Sequence, residues 1–197
     1  FISLSNKPWK NMKQFVAYAK KNPGKINFGH SGVWGAIHTP AMQFVKAAGI
    51  KVNFIPHKGG GPTLRALLSG QDDITMGFTT QSRPHVKSGK VIALAVTGDK
   101  RLSKDKDFKN VPSAAELGFK GVSFKMERIF MAPAKTPADR LATLRGAFEK
   151  ILKNKSFKRF MRSIGEKVQF VKGADYNKVR KERYDGFTQL IKAMTGK

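Results

Sequence analysis

Along residues 1–97, short apolar runs alternate with segments in which apolar residues recur every three or four positions. The apolar runs predict strands at residues 26–28, 52–55, 74–78 and 91–96. The helical spacing predicts helices that end at Asn22, Gly49 and Gly70, and a short helix at 82–88. Repeated strand–helix units of this kind predict a parallel sheet with helices on both faces.

The pattern changes after residue 97. Residues 98–110 are polar and predict a solvent-exposed loop, followed by a short helix at 113–117. Thr136-Pro137-Ala138-Asp139 is typical of a helix start with a capping threonine. Further elements are predicted as a long strand at 122–131, a helix at 157–164, a strand at 168–171 and a terminal helix at 175–194. We place a hinge near residues 123–128.

Two glycine-rich turns follow the first two predicted strands of the parallel sheet. The first contains Gly29, Gly32 and Gly35, and the second contains Gly59, Gly60 and Gly61. The first peptide N–H groups of a helix lack acceptors, so a phosphate or carboxylate can bind there through backbone alone. Glycines would let that backbone approach a ligand closely. The spacing matches neither dinucleotide nor P-loop motifs.

The third predicted strand ends in the polar pair Thr79-Thr80. Ligands of parallel α/β sheets bind beyond the carboxyl ends of the strands, where this pair and both turns are expected to lie. The first turn alone is explained equally well as a tight strand-to-helix connection. The convergence of three loops favours a binding site.

Charge adds a second property to this picture. The 197 residues include 38 Lys and Arg against 13 Asp and Glu, a net charge of +25. Such a field attracts anionic ligands or polyanions, so a basic nucleic-acid-binding protein is an alternative. The excess is spread along the chain, whereas nucleic-acid modules concentrate basic residues and interleave aromatic ones. We therefore expect no nucleic-acid partner.

Catalytic and metal-binding patterns are weak. Ser31 lies near His30 and His38, which suggests a nucleophile with a base, but the run lacks the G-x-S-x-G elbow and a placed acid. The four histidines lack metal-ligand spacing, and cysteine is absent. We predict no enzyme activity, no metal and no cofactor. No apolar run approaches the length of a membrane span.

Several blocks of sequence resemble the substrate-binding proteins of the tripartite tricarboxylate transporter system, also called Bug proteins. These blocks are residues 19–25, the first glycine turn with His38, residues 55–62, Gly70-Gln71 with Asp73, and residues 84–90, 94–102, 111–118 and 132–137. The resemblance implies a periplasmic-binding-protein-like α/β fold with a parallel or mixed sheet and two lobes. It implies a periplasmic protein that closes over a small carboxylate and presents it to membrane subunits of the transporter.

Family members extend further at the N-terminus. The resemblance therefore implies that residues 1–124 form a complete second lobe, and that residues 125–197 form the hinge and the C-terminal part of an incomplete first lobe. The ligand is expected to be a di- or tricarboxylate or an aromatic acid. Members usually have Ser or Thr in place of His30 and Gly in place of Trp34, so these two positions are expected to set the ligand preference.

The candidate ligand-binding residues come from the three loops and the hinge. They are His30, Ser31, Gly32, Trp34, Gly35, His38, Lys58, Gly59, Gly60, Gly61, Thr79, Thr80 and Arg128. Backbone N–H groups and hydroxyls would hold the carboxylate, with His30, Lys58 or Arg128 as a charge partner. For Lys58 and Arg128 a solvent-facing cation without a ligand is the alternative interpretation.

Overall fold

In the computed structural model, residues 1–119, 121–122, 124, 127–164, 166 and 168–195 are described. Residues 193–195 are described by their backbone alone. The chain divides into two compact units, Phe1–Phe130 and Met131–Lys197. The first unit carries the sheet and all three candidate loops. The second contains helices joined by irregular segments.

The first unit is built around a five-stranded sheet in the order β3-β2-β4-β1-β5. The strands are β1 (Ile2–Leu4), β2 (Asn27–His30), β3 (Asn53–Pro56), β4 (Ile74–Thr75) and β5 (Val91–Ala93). β2 is parallel to β3 and β4, whereas β1 is antiparallel to β4 and β5. Four strands therefore point the same way, and their carboxyl ends share one edge. The predicted parallel or mixed α/β sheet is confirmed.

Helices cover both faces of this sheet. They are α1 (Met12–Lys21), α2 (His38–Ala48), α3 (Gly60–Ser69) and α4 (Thr79–Lys87). Asn11 accepts a hydrogen bond from the Gln14 N–H at 2.9 Å and so caps α1. α2 and α3 end at Gly49 and Gly70, both in the left-handed conformation that terminates helices.

Two hydrophobic clusters lie on opposite faces of the sheet. The larger one joins side chains of α1 and α2 to the sheet, with Phe15, Phe28 and Phe44 fully buried. The smaller one joins β1 and β5 to Leu67 of α3 and the partly buried Val86 of α4. α1 and α2 therefore pack on one face, and α3 and α4 on the other. This arrangement leaves the carboxyl edge to the loops.

The second unit contains α5 (Ala138–Lys153), α6 (Lys155–Ser163) and α7 (Gly173–Thr195). Asn154 accepts a hydrogen bond from the Phe157 N–H at 3.0 Å and caps α6. No described side chain of this unit is fully buried. Apolar residues at helical spacing, including Leu144, Ile151 and Phe160, are exposed. The described residues of this unit therefore do not enclose a core.

Predicted strand ends differ from the structure in the first unit. The strand predicted at 74–78 is only Ile74–Thr75, and the strand predicted at 91–96 is Val91–Ala93. β4 stops where its partner stops, because Ile2 pairs with Thr75. The helix predicted at 82–88 begins earlier, at Thr79. Thr79 and Thr80 therefore form the first turn of α4 and not the end of a strand, which corrects the prediction.

Other predicted elements are wrong. The helix at 113–117 is a set of turns in which Ser113 and Glu116 make reciprocal hydrogen bonds, the side chain of each with the other's N–H. The described residues of 122–131 and of 168–171 form no strand. Thr136 does not cap α5, because its hydroxyl donates to the Pro133 carbonyl. The hinge predicted at 123–128 lies partly outside the described residues.

Candidate functional site

The carboxyl edge of the sheet brings together the loops that follow β2, β3 and β4, and each loop leads into the N-terminus of a helix. The His57 N–H donates to the His30 carbonyl at 2.8 Å, which joins the first loop to the second. A Cβ at Gly60 would lie 3.5 Å from Gln81 Oε1, so α3 begins beside α4. The N-termini of α2, α3 and α4 thus converge at one edge, where their dipoles favour an anion.

Two glycines shape the first loop. Gly32 has a φ of 128°, in the region where side chains are strained. The Gly35 N–H donates to the Gly32 carbonyl at 3.2 Å, and a Cβ at Gly35 would lie 3.1 Å from that carbonyl oxygen. A side chain at Gly35 would therefore require the Gly32 carbonyl to move by a few tenths of an ångström. Ser31 lies beside it and is half-buried.

His30 lies inside the unit, not at the loop surface. Its side chain is 2% exposed, and its ring stacks on that of His38 at a centroid distance of 4.1 Å. Nδ1 of His30 lies 2.9 Å from the Gly32 carbonyl oxygen. A carbonyl only accepts, so this Nδ1 carries the proton. His30 thereby holds the first loop through the Gly32 carbonyl. This role differs from the predicted one, in which His30 is the charge partner of a ligand.

His38 holds the same loop at Trp34. Its Nδ1 accepts a hydrogen bond from the Trp34 N–H at 3.0 Å, which requires an unprotonated Nδ1. Burial, together with the neighbouring His30, lowers the pKa of His38 below its ordinary value. His38 is therefore a neutral acceptor, and both rings pack edge-on against Phe54.

A buried carboxylate lies under the first two loops. Asp72 is 0% exposed, and its Oδ2 lies 2.8 Å from Nε2 of His57. Burial raises the pKa of Asp72, and the hydrogen bond from His57 opposes that rise. Asp72 Oδ1 has no hydrogen-bond partner among the described residues. The pair ties the end of β3 to the chain that enters β4.

Gly29 makes room for this carboxylate. A Cβ at Gly29 would lie 2.0 Å from Asp72 Oδ2 and 3.3 Å from Cγ2 of Thr63. The sequence predicts that Gly29 lets the backbone approach a ligand, whereas the group that lies against Gly29 in the structure is the Asp72 carboxylate. The sequence contains only a weak signal for the pairing of His57 with Asp72, namely the two acidic residues, Asp72 and Asp73, that precede β4.

The second loop ends at the N-terminus of α3. Gly59 occupies the cap position with a φ of 103°, and Gly60 and Gly61 follow as the first helical residues. No side-chain hydrogen bond caps this end, and Pro62 has no N–H to donate. Lys58 is exposed beside it. An uncapped helix start next to a cation is suited to an anion.

The remaining candidates are Thr79, Thr80 and Arg128. Both threonines are half-buried in the first turn of α4, which also has no side-chain cap. α4 is held in place by Arg83, which binds Asp105 through two hydrogen bonds of 2.7 and 2.9 Å. Arg128 lies in an exposed segment near the end of the first unit, and its role stays a prediction.

Neither a metal centre nor a membrane span is apparent in the described part of the chain. No cluster of three or more potential metal-ligating side chains occurs among the described residues. Within the same residues, no helix combines the length and the apolar composition that crossing a bilayer requires.

Comparison with known proteins gives one family. The family model described as "tripartite tricarboxylate transporter family receptor" matches residues 1–195. A UPF0065 protein from the gbd 5' region of Cupriavidus necator is 27% identical over 172 residues, which is 87% of this chain and 51% of that protein. The chain therefore spans about half the length of this relative.

Solved structures share the fold. A periplasmic binding protein, BugD, superposes with a TM-score of 0.85 at 27% identity, covering 98% of this chain and 64% of that one. A protein from R. palustris, solved with adipate, has a TM-score of 0.83 at 24% identity and covers 97% of this chain and 63% of that one. The sheet and its helices are thus of the periplasmic-binding-protein type.

Proposed function

Since the chain belongs to the tripartite tricarboxylate transporter receptor family, we propose that it is part of a periplasmic solute-binding protein that captures a small carboxylate. Such a protein delivers its ligand to the membrane subunits of a transporter and needs no catalytic group or cofactor. The observation that carries the proposal is the convergence of three helix N-termini at the carboxyl edge of one sheet.

The ligand carboxylate binds at the start of α3 and its neighbours. First-turn N–H groups of Gly60 and Gly61 donate to it, because these groups have no acceptor inside the helix. Lys58 supplies the opposite charge from its exposed position. Thr79 and Thr80 offer hydroxyls from the neighbouring helix start. The structure of the R. palustris neighbour with adipate supports a ligand of this class.

Two lobes complete the proposal. Residues 1–124 form the lobe that carries the loops, and residues 125–197 form the hinge and part of the other lobe. The exposed apolar residues of α5 and α6 support this division, because a helix face of this kind needs a cover. A ligand shifts the balance between open and closed forms only by its difference in affinity for them, so closure follows binding.

Calorimetry on the intact protein tests the proposal with adipate, malate, citrate and terephthalate. We expect at least one to bind, and Lys58→Ala to weaken that binding about three- to tenfold through the loss of a charge-assisted contact. Lys51 is the matched control, because it is also exposed and lies before the other end of β3. The proposal fails if none of these acids gives heat or raises the unfolding temperature.

The alternative of a basic nucleic-acid-binding protein makes an opposite prediction. It requires duplex affinity that falls steeply with salt, because released counterions drive such binding. Filter binding with the intact protein at two salt concentrations separates the two functions. Tight, salt-dependent DNA binding with no carboxylate binding would favour the alternative. The family match favours the carboxylate.

A further inference from the structure

Trp34 is a large aromatic residue exposed on the first loop. Its side chain is 42% exposed, whereas Trp9, the other tryptophan, is buried at 1%. It lies three residues before Ile37, the cap of α2, at the edge where the helix N-termini converge. We propose that the Trp34 indole is a stacking surface for the ring of an aromatic carboxylate. This inference rests on the proposed function and names its substrate class.

The backbone conformation at Trp34 indicates that the indole side chain has a role of its own. Its φ is 59°, a left-handed conformation, and among the described residues Trp34 is the non-glycine residue that adopts one. Glycine would fit this conformation at lower cost. Burial does not explain the residue either, because much of the indole faces outward. A bulky ring at a strained, exposed position suggests a contact that the isolated chain does not make.

The loop also fixes the backbone that carries the indole. The Trp34 N–H donates to His38 Nδ1 at 3.0 Å, and the Trp34 carbonyl accepts from the Thr39 hydroxyl at 3.2 Å. The His38 ring lies edge-on to the indole at a centroid distance of 6.0 Å and is itself stacked on His30. The first turn of α2 thus fixes the backbone of Trp34 and places the His38 ring beside the indole. A surface ordered before binding loses less entropy when a ligand arrives.

Geometry and charge then select a class of ligand. When the carboxylate of a ligand binds at a helix N-terminus of this edge, the rest of the ligand extends outward past the loops. A flat ring there can lie offset on the indole, the arrangement that aromatic pairs prefer. An aliphatic chain of the same length gains only ordinary contact. The expected ligand is therefore an acid whose carboxylate is attached to an aromatic ring.

Terephthalate and adipate form a matched pair of probes. Both are dicarboxylates, and in both the shortest path between the two carboxyl groups contains about four carbons, aromatic in terephthalate and aliphatic in adipate. We expect the intact protein to bind terephthalate more tightly, and Trp34→Ala to weaken terephthalate binding about three- to tenfold. Trp34→Phe keeps a ring and should restore most of that affinity. Adipate binding should change less than twofold in both variants.

Two further variants separate stacking from damage to the loop. Trp34→Gly relieves the left-handed strain, so it should keep or raise the unfolding temperature while it loses terephthalate affinity as Trp34→Ala does. Val33→Ala changes a neighbour that is 65% exposed and has no ring, and it should leave both affinities unchanged. Equal losses for both acids in Trp34→Ala would instead assign a general role in holding the loop and would overturn the inference.

Tryptophan fluorescence gives an independent measurement. Terephthalate should alter the emission of the exposed Trp34, and Trp34→Phe should remove that change although it still binds the acid. If adipate binds and Trp34 variants affect neither acid, the stacking inference is wrong while the proposed function stands. If no acid binds in any variant, both are wrong.

Discussion

His38 links the conformation of the first loop to pH. Its folded-state pKa is below 6.5, the ordinary value it regains on unfolding. The depressed pKa contributes stability above pH 6.5, and that contribution is lost as pH falls through the folded-state value. Protonation would also place a hydrogen on the Nδ1 that accepts from Trp34.

We therefore expect the unfolding temperature of the wild type to fall more steeply between pH 7 and pH 5 than that of His38→Gln. Thermal unfolding followed by circular dichroism measures the difference. His85→Gln is the control, since His85 lies in the last turn of α4 and outside this loop. Parallel pH profiles of wild type and His38→Gln would contradict the assignment.

Gly29 and Asp72 make a second prediction at the scale of single residues. A Cβ at position 29 would overlap the buried Asp72 carboxylate, so Gly29→Ala should destabilise the protein by about 2–3 kcal/mol. In an Asp72→Ala background the same change should cost much less, because the obstructing oxygen is absent. Urea unfolding of the four proteins gives this coupling directly.

Gly146→Ala is the matched control for this cycle. Gly146 lies within α5, and a Cβ there meets no atom within 4 Å. Alanine should stabilise that helix by up to about 1 kcal/mol. An equal cost of Gly29→Ala in both backgrounds would show that the carboxylate is not what excludes a side chain at position 29.

Among the elements, α4 is attached to the segment 99–112 chiefly through Arg83. Arg83 binds Asp105 and Asp107 and lies over the Phe108 ring at 5.3 Å. Hydrogen bonding to these carboxylates raises the pKa of Arg83, and Arg83 in turn lowers that of Asp105. The start of α4, with its two candidate threonines, is thereby held at the site.

Arg83→Lys keeps the charge but loses the paired hydrogen bonds, so we expect it to destabilise the protein by about 1–2 kcal/mol. Hydrogen exchange of the α4 amides should increase at the same time. Lys87→Ala is the control, since Lys87 is 51% exposed and 3.8 Å from Asp107, and it should cost under about 0.5 kcal/mol. Unchanged exchange in Arg83→Lys would show that α4 is held by other contacts.

Helices were more predictable than strands for a physical reason. α1, α2 and α3 contain a full apolar stripe and end at Asn22, Gly49 or Gly70, so their signals are local. β1 has three residues, and what makes it a strand is its place between β4 and β5. The early start of α4 has the same origin, because β4 ends where its pairing with β1 ends.

At the site, the sequence predicted the loops but not their internal contacts. Chain order alone places the glycine turns and Thr79 at the carboxyl edge of a parallel sheet. The stacking of His30 on His38 and the pairing of His57 with Asp72 depend on distances between separate elements. No local pattern encodes such distances.

On the scale of the whole molecule, the net charge of +25 should act on rates. A positive field draws an anion toward the site, and salt screens that field. We expect the association rate constant of adipate to fall several-fold between about 20 mM and 500 mM salt in stopped-flow experiments, with a smaller change in dissociation. Equal salt effects on both rates would place the attraction at short range instead.

The position of β1 has a consequence for the order of folding. Leu4 pairs with Val91 and Ser3 with Ile74, so β1, which precedes the other four strands along the chain, lies between β4 and β5 and must wait for both partners. Closing such long loops is entropically costly and slow. Until β5 emerges from the ribosome, one edge of β1 has no partner strand, and the sheet becomes complete only after most of the first unit has been synthesised.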